Sequence, residues 1–426
     1  MKKKTRFAGV CVLYAALAIF GVAAAQEDPL AHRKGTLIIS TQPGMVVRVE
    51  QLRHDFMFGV SCHPKHTEPS KKLKARKPDL YRRAQAYSKE IRKNFNTITP
   101  GYVAKWHFTE KERGKTRYQP MDQIVKWAEK HDMRVRGHNV FWSGTSFIPE
   151  WVKPLKKKEA LLVHKKRARE VVKRYKGRLV DWDFCNETLN GNHWEMRVMG
   201  KDIHAKMTQW VKKADPDCNV CTNEFGVLAS ERKCNAYVQK VKAILQQGGV
   251  VDALGCQGHY HGEDFDRATL RKCLDMLAEL KRPILITEFN MPGQTSKYRD
   301  NHNETLSPEQ EKRKAIAVRD YMRICFHHPS VEAFIFWGAW ERDLWIPASA
   351  LWKKDMSPTP ALKEYRKLVF DKWWTRWEGK ANEKGECRVE AFFGRHRIRS
   401  AGKEITVELA KEKGAEKRVV LDPPVK

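Results

Sequence analysis

The sequence predicts an α/β protein built as a (β/α)8 TIM barrel, with a small β lead-in before it and a small β appendage after it. Three observations carry that prediction. Eight apolar, strand-like runs alternate with eight long Lys/Arg-rich segments of helical character, the pattern of parallel strands covered by helices. Two of those runs, RLVDWDFCNE and RPILITE, close on a glutamate, at Glu187 and Glu288. Polar or aromatic residues stand at the carboxyl end of nearly every other run, where barrels of this type gather their functional side chains.

Residues 1–25 begin with the basic KKKTRF, continue through the apolar GVCVLYAALAIFGVAAA and turn polar at Gln26. That order of basic, apolar and small residues reads as a signal peptide, so the protein is expected to be secreted or periplasmic. Cleavage would leave no stable membrane insertion. Retention of the same run as an anchor stays open, because its length lies near the lower limit for spanning a bilayer. Residues 26–58 follow as a β-rich lead-in, with β-branched runs on either side of the turn signal Gln42-Pro43-Gly44. It is expected to pack beside the barrel.

The barrel is assigned to 59–370. Its strand candidates are 55–61, 95–100, 135–142, the run to Glu187, 218–225, 251–260, the run to Glu288, and 332–339. The helical segments are 71–94, 120–131, 156–175, 199–213, 231–247, 266–280, 308–326 and 359–370. Residues 371–426 read as a β appendage of short strands separated by Gly and Lys turns. Its Trp373, Trp374 and Trp377 are read first as cover for the barrel's outer surface and second as a glycan contact.

The 426 residues carry 81 Lys and Arg against 51 Asp and Glu, a formal charge of +30. Loss of Lys2, Lys3, Lys4 and Arg6 with the leader takes that to +26. An excess of this size suits an anionic partner such as a uronate-bearing polysaccharide, although the charges are dispersed over many helices. No nucleic-acid-binding motif accompanies them, so nucleic acid is not expected as a partner. Nine of the ten cysteines lie beyond the leader, an odd number that leaves at least one thiol unpaired within a chain. Cys218 and Cys221 form a CxxC with Cys234 nearby, but no fourth ligand follows at zinc-finger spacing. A disulfide such as Cys218 to Cys234 stays open. No metal or organic cofactor is implied, and the chain is read as a monomer.

A barrel brings its strand ends to one mouth, so residues far apart in sequence form one cleft. The residues converging there are Lys105, His138, Trp142, Asn186, Glu187, Asn223, Glu224, Gln257, His259, Glu288, Asn290, Trp337 and Trp345. Each alone has a plainer reading as a structural histidine, a packed tryptophan or a capping glutamate. Together they offer aromatic faces for sugar rings, directional partners for hydroxyls, and two carboxylates. Glycoside cleavage needs such a pair, one kept protonated for the leaving oxygen and one ionised for the anomeric carbon.

FNTITPGYVAKW, RGHNVFW, WDFCNE, TNEF, GCQGHYHG, ITEFN and WGAWERDLW occur in this order and in register with the strands. On these motifs the chain resembles glycoside hydrolase family 10, the endo-β-1,4-xylanase family, over most of residues 55–370. The resemblance implies a retaining enzyme with Glu187 as general acid/base, Glu288 as nucleophile and xylan or a related β-glycan as polysaccharide substrate. It further implies that Asn186 bonds the sugar's 2-hydroxyl, that His259 orients Glu288, and that Gln257 lies beside it. Lys105, His138 and Trp142 would form the subsite on the glycone side of the bond, with Trp337 and Trp345 closing over the sugar.

The chain also departs from the family pattern. Gly101 and Tyr102 stand where Glu-Asn is usual, so Tyr102 is expected to stack on a sugar instead of hydrogen-bonding to it. Ser143 replaces a histidine and Asn290 an aspartate, while Glu341 and Leu344 replace Asp and Ser. Loss of the aspartate at 290 removes a negative charge beside His259 and Glu288 and is expected to shift the pH optimum. Hydrolysis of another β-glycan, and glycan binding by a barrel without turnover, remain the competing readings.

Overall fold

The computed structural model describes residues 28–295, 305–412 and 414–421; the leader read at 1–25 lies outside the described residues. Alternating burial makes β2 (Val46–His54) a largely one-faced strand, whereas β1 (Lys34–Ser40) buries the consecutive Leu37, Ile38 and Ile39 and so needs cover on both faces. They flank the Pro43-Gly44 turn but do not pair with each other.

The buried runs that follow form the barrel: β3 (Met57–Cys62), β4 (Thr97–Pro100), β5 (Arg134–Gly137), the short β6 (Phe141–Trp142), β7 (Asp181–Asn186), β8 (Asn219–Glu224), β9 (Ala253–Cys256), β10 (Ile284–Phe289) and β11 (Val331–Phe336). All their pairings are parallel. β11 returns to β3, and β5 pairs with β7 through Arg136↔Asp181 and Gly137↔Trp182, which closes a ring of eight strands. β6 is an outlying continuation of the third strand that pairs with the end of β7. Between the strands lie helices including Pro78–Asn94, Gln119–Lys130, Lys157–Arg174, Ile203–Ala214, Glu231–Gln246, Arg267–Ala278 and Pro308–His327. The expected (β/α)8 architecture is the observed one.

Local chemistry explains where the element boundaries differ from the sequence reading. The helix expected over 71–94 is broken at Lys77 (φ −143°, ψ 72°), because Pro78 disfavours helical backbone in the residue before it. The helix expected from 199 is preceded by Trp194–Met199 and interrupted at Gly200, whose φ of 113° ends the first segment. The helix Pro360–Arg366 runs on into a wider π turn over Lys367–Lys372.

The two ends of the chain are one unit, whereas the sequence was divided into a lead-in and a separate appendage. After the barrel come β12 (Arg376–Lys380), β13 (Glu386–Phe392), β14 (Gly394–Ser400), β15 (Lys403–Leu409) and β16 (Glu416–Val420). β1 sits between β13 and β16, while β2 sits between β12 and β14, with β15 at the edge. Leu37, Ile39, Val47, Val49, Val389 and Ile398 fill the space between these two sheets.

This sandwich is fixed to the barrel by buried contacts. Arg33, 2% exposed, donates to the main-chain oxygens of Phe326 (2.9 Å), His328 (2.8 Å) and Val331 (2.6 Å). Trp373 is buried and stacks on Phe326, with centroids 4.0 Å apart, so it covers the barrel. All nine cysteines beyond the leader are free thiols, including Cys218 and Cys234. Among the described residues no helix is long and apolar enough to cross a membrane.

Candidate active site

A charged cluster inside the barrel underlies the mouth. Asp181 and Asp183 alternate with Trp182 and Phe184 along β7, so the two carboxylates point into the ring while the aromatic residues enter the outer core. Arg136, fully buried, bonds both of them, at 2.9 Å and 3.0 Å. Burial raises Asp181 to about 6 against the opposing pull of Arg136. Asp183 also meets His138 Nδ1 at 2.8 Å, which holds the imidazole upright beneath the cleft.

A register shift between Asp183 and Cys185 then turns Asn186 and Glu187 toward the mouth. Glu187 has a left-handed φ of 60°, and its N–H donates to Asn223 O at 2.9 Å. Three side chains hold its carboxylate. Trp142 Nε1 donates to Oε2 at 2.9 Å, and Gln257 Nε2 and Asn186 Nδ2 donate to Oε1 at 3.1 Å and 3.2 Å.

Glu288, 4% exposed, ends its own strand in a different environment. Asn223 Nδ2 donates to its Oε1 at 2.6 Å, His259 Nε2 stands 3.3 Å from its Oε2, and His138 Nδ1 lies 3.8 Å from Oε1. Burial alone would raise its pKa, yet His138, the His259 hydrogen bond and Lys105 outweigh burial and lower it to about 2. The two carboxylates are thus joined by a relay in which Asn223 Nδ2 also reaches Asn186 Oδ1 at 2.9 Å.

Gln257 connects to both sides. Its main-chain oxygen accepts from Glu288 N at 2.8 Å while its side chain reaches Glu187. Asn223 was placed at the mouth by the sequence but given no role, because its only signal was a polar side chain at the end of a buried strand.

Asn290 is held in a set of three hydrogen bonds. Trp345 Nε1 donates to its Oδ1 at 2.9 Å and its own Nδ2 donates to Ser349 Oγ at 2.9 Å, which fixes the direction of the amide. His259 Nδ1, 2.9 Å from that Oδ1, must therefore carry a proton, and a hydrogen bond from Nε2 to Glu288 requires a second one.

One arm of the cleft is a cavity of about 360 Å³ lined by Gly101, Tyr102, Lys105, Trp337, Trp340 and Trp345 among others. Lys105 is 8% exposed, with Nζ 4.3 Å from the Trp142 ring centroid; desolvation lowers it to about 8 against the attraction of Glu288 and Glu187. Trp337 stands edge-on to His138, with centroids 5.0 Å apart. Tyr102 is 45% exposed at the rim and rests edge-on against Phe108 at 4.9 Å. A Cβ on Gly101 would lie 2.4 Å from Ser61 Oγ, so any larger side chain there displaces Ser61. Beyond Trp340 and Asp343 a second cavity of about 420 Å³, bordered by Lys65 and Arg342, continues outward.

Ser143 does not face the cleft. It is fully buried and bonds Glu195, which also meets His204 Nε2 at 2.8 Å. Cys185, Glu195 and His204 place donor atoms within 4.8 Å of one another, the one such trio among the described residues. One oxygen of the Glu195 carboxylate is already shared by Ser143 and His204, which makes the group a hydrogen-bonded support behind Trp142.

A closed parallel barrel with two acidic strand ends facing one polar cleft defines the class of this protein. The chain belongs to glycosyl hydrolase family 10, whose model matches residues 70–368. Among curated relatives it is 29% identical over 312 residues to the anti-sigma-I factor RsgI6 of Acetivibrio thermocellus, covering 73% of this chain and 39% of that one. It is 28% identical over 348 residues to endo-1,4-beta-xylanase 5-like of Arabidopsis thaliana, covering 80% and 54%. With endo-1,4-beta-xylanase B of Thermotoga neapolitana the identity is 27% over 307 residues, covering 68% and 85%. The chain thus spans between about two fifths and just over half of the first two of these relatives. The fold is shared with xylanase 10B of Thermotoga petrophila in complex with xylobiose, at a TM-score of 0.65 and 24% identity over 75% of this chain and 95% of that one.

Proposed function

We propose that the protein is a retaining endo-β-1,4-xylanase-like glycoside hydrolase that cleaves internal bonds of xylan by double displacement. The observation that carries this reading is the pair of strand-end carboxylates in unlike settings. Glu288 is held ionised among three cationic or cation-capable groups, and Glu187 sits half-buried among neutral donors.

Glu288 attacks the anomeric carbon as Glu187 gives its proton to the glycosidic oxygen, so the C–O bond breaks and the leaving sugar departs as an alcohol. Glu187, now a carboxylate, takes a proton from water. The resulting hydroxide attacks the same carbon and releases Glu288, and the two inversions retain the configuration. Asn186 stands beside both carboxylates where a bond to the 2-hydroxyl would strengthen as positive charge develops on the ring.

The leader-like residues 1–25 support export from the cell, and the charge of +30 supports a glycan bearing acidic side groups. Gly101 and Tyr102 favour a second reading within the same chemistry, a β-glycan other than plain xylan, because the arm beside them is roomy and apolar-walled.

Digestion of xylan and a panel of β-glycans by the purified protein, beside a Glu288→Ala variant, tests the proposal. Reducing ends should appear with the parent protein alone, and the first product seen by NMR should be the β-anomer. Absence of turnover on every β-glycan, with binding retained, would leave a glycan-binding barrel in its place.

A further inference from the structure

A third carboxylate lies beside this machinery with no part in the chemistry above. Glu224 closes β8, one residue beyond Asn223, and is fully buried. Burial pushes it up to about 8 against the donors that surround it. Those donors belong to three consecutive residues. Thr188 Oγ1 approaches Oε1 at 3.3 Å, the Leu189 main-chain N–H donates to the same oxygen, and Asn190 Nδ2 donates to Oε2 at 2.8 Å.

Residues 188–190 are the turn directly after Glu187. The turn begins with the left-handed backbone of Glu187 and closes where Gly191 N donates back to Glu187 O at 2.9 Å. It has little freedom on its far side, because a Cβ on Gly191 would lie 2.5 Å from Ser143 Cβ. A left-handed conformation is unfavourable for a residue with a side chain and persists only when its surroundings impose it. Glu224 supplies that imposition by accepting from all three residues, Thr188 and Leu189 at one oxygen and Asn190 at the other.

We propose that Glu224 is a positioning residue for the acid/base: by binding residues 188–190 it sets the angle at which Glu187 presents its carboxyl to the glycosidic oxygen. This rests on the reading of Glu187 as acid/base. Glu288 is carried by another strand and bonded by Asn223 and His259, with no hydrogen bond to this turn, so a loosened turn should impair proton donation and spare nucleophilic attack. Glu224→Gln keeps the shape but replaces one of the two accepting oxygens by an NH2 group, so the bond from Leu189 or the one from Asn190 is lost.

The test uses the sensitivity of the first step to the leaving group, because acid assistance matters in proportion to the basicity of the departing oxygen. The kcat/KM of the full-length protein and of Glu224→Gln is measured on aryl β-xylobiosides whose phenols range from strongly to weakly acidic. The variant should lie within about twofold of the parent for the most acidic phenols. It should fall about 10- to 100-fold behind for the least acidic, as expected when a reacting group is displaced by a fraction of an ångström to an ångström.

Asn190→Ala, at an exposed position, should steepen the same dependence by a smaller factor, and it carries the test if Glu224→Gln does not fold. An equal loss across the series, or none in either variant, overturns the positioning role. Failure of the parent protein to cleave any aryl glycoside or glycan instead removes the hydrolase reading, so the two failures are told apart.

Discussion

The floor of the cleft and the arm beside Tyr102 are built on different principles. On the floor, Glu187 and Glu288 together receive donors or close polar approaches from Trp142, Asn186, Gln257, Asn223, His259 and His138, all contributed by strand ends. In the arm, Gly101, Tyr102, Trp337 and Trp345 offer mainly aromatic faces and space, and Lys105 stands at the boundary between the two. Reacting groups must be fixed to within about half an ångström, which takes many mutually bonded partners on rigid elements. Recognition of a ring face tolerates sliding, so substitutions can accumulate in the arm without disturbing the chemistry.

If that contrast is right, the floor should fail steeply and the arm gently. Glu288→Ala should lower kcat by at least about four orders of magnitude on any cleaved glycan, since on the proposed mechanism it removes the group that forms the covalent bond. A residual rate above about 1% would place the nucleophile elsewhere. Asn223→Ala removes the 2.6 Å bond to Glu288 and the link to Asn186, and should cost about 100-fold in kcat with little change in KM. A change confined to KM would make Asn223 a binding residue.

At the boundary, Lys105 is a base whose pKa is lowered to about 8, charged below that pH and neutral above it. Loss of its charge should raise KM about tenfold as pH passes 8, the worth of one charged hydrogen bond to a sugar hydroxyl. In Lys105→Met, KM should be high and flat with pH; a persisting rise in that variant would assign it to another group. In the arm, Tyr102→Ala should raise KM only about three- to tenfold and leave kcat alone.

The smallest effect concerns Asn290. Glu288 stays ionised down to about 2, so protonation of the nucleophile does not set the acidic limb of activity near neutral pH. The bonding of Asn290 leaves His259 in need of two protons to reach Glu288, and Asn290→Asp would set a negative charge beside that imidazolium. The variant should keep kcat within about threefold of the parent on any cleaved glycan, since a carboxylate at 290 can accept the same bonds from His259 and Trp345. A loss of about tenfold or more would show that the amide at 290 is needed for its bond to Ser349.

Much of the floor was legible in sequence because its residues mark strand ends. Asn186, Glu187, His259, Glu288 and Asn290 each follow a buried apolar run, and a closed barrel brings such ends together whatever the loops do. Asn223 and Glu224 occupied the same kind of position, but strand-end placement cannot tell which polar groups touch substrate and which bond one another. Ser143 illustrates the limit. It adjoins Trp142 in sequence yet turns to Glu195 behind the cleft, because the third barrel strand breaks after Gly137 and resumes only at Phe141.

The chain by itself determined the eight-strand alternation, the two acidic strand ends and the residue types around them, since these follow from local periodicity and composition. Only the tertiary structure decided that β1 and β2 pair with strands from the far end of the chain. It also decided that Arg136, Asp181 and Asp183 fill the barrel beneath His138, and that Asn223 and Asn186 link the two carboxylates. A strand's pattern announces that one face needs covering but not which partner covers it, and a polar side chain announces a hydrogen bond but not its mate. Partners separated by tens to hundreds of residues are chosen by the closed geometry of the fold.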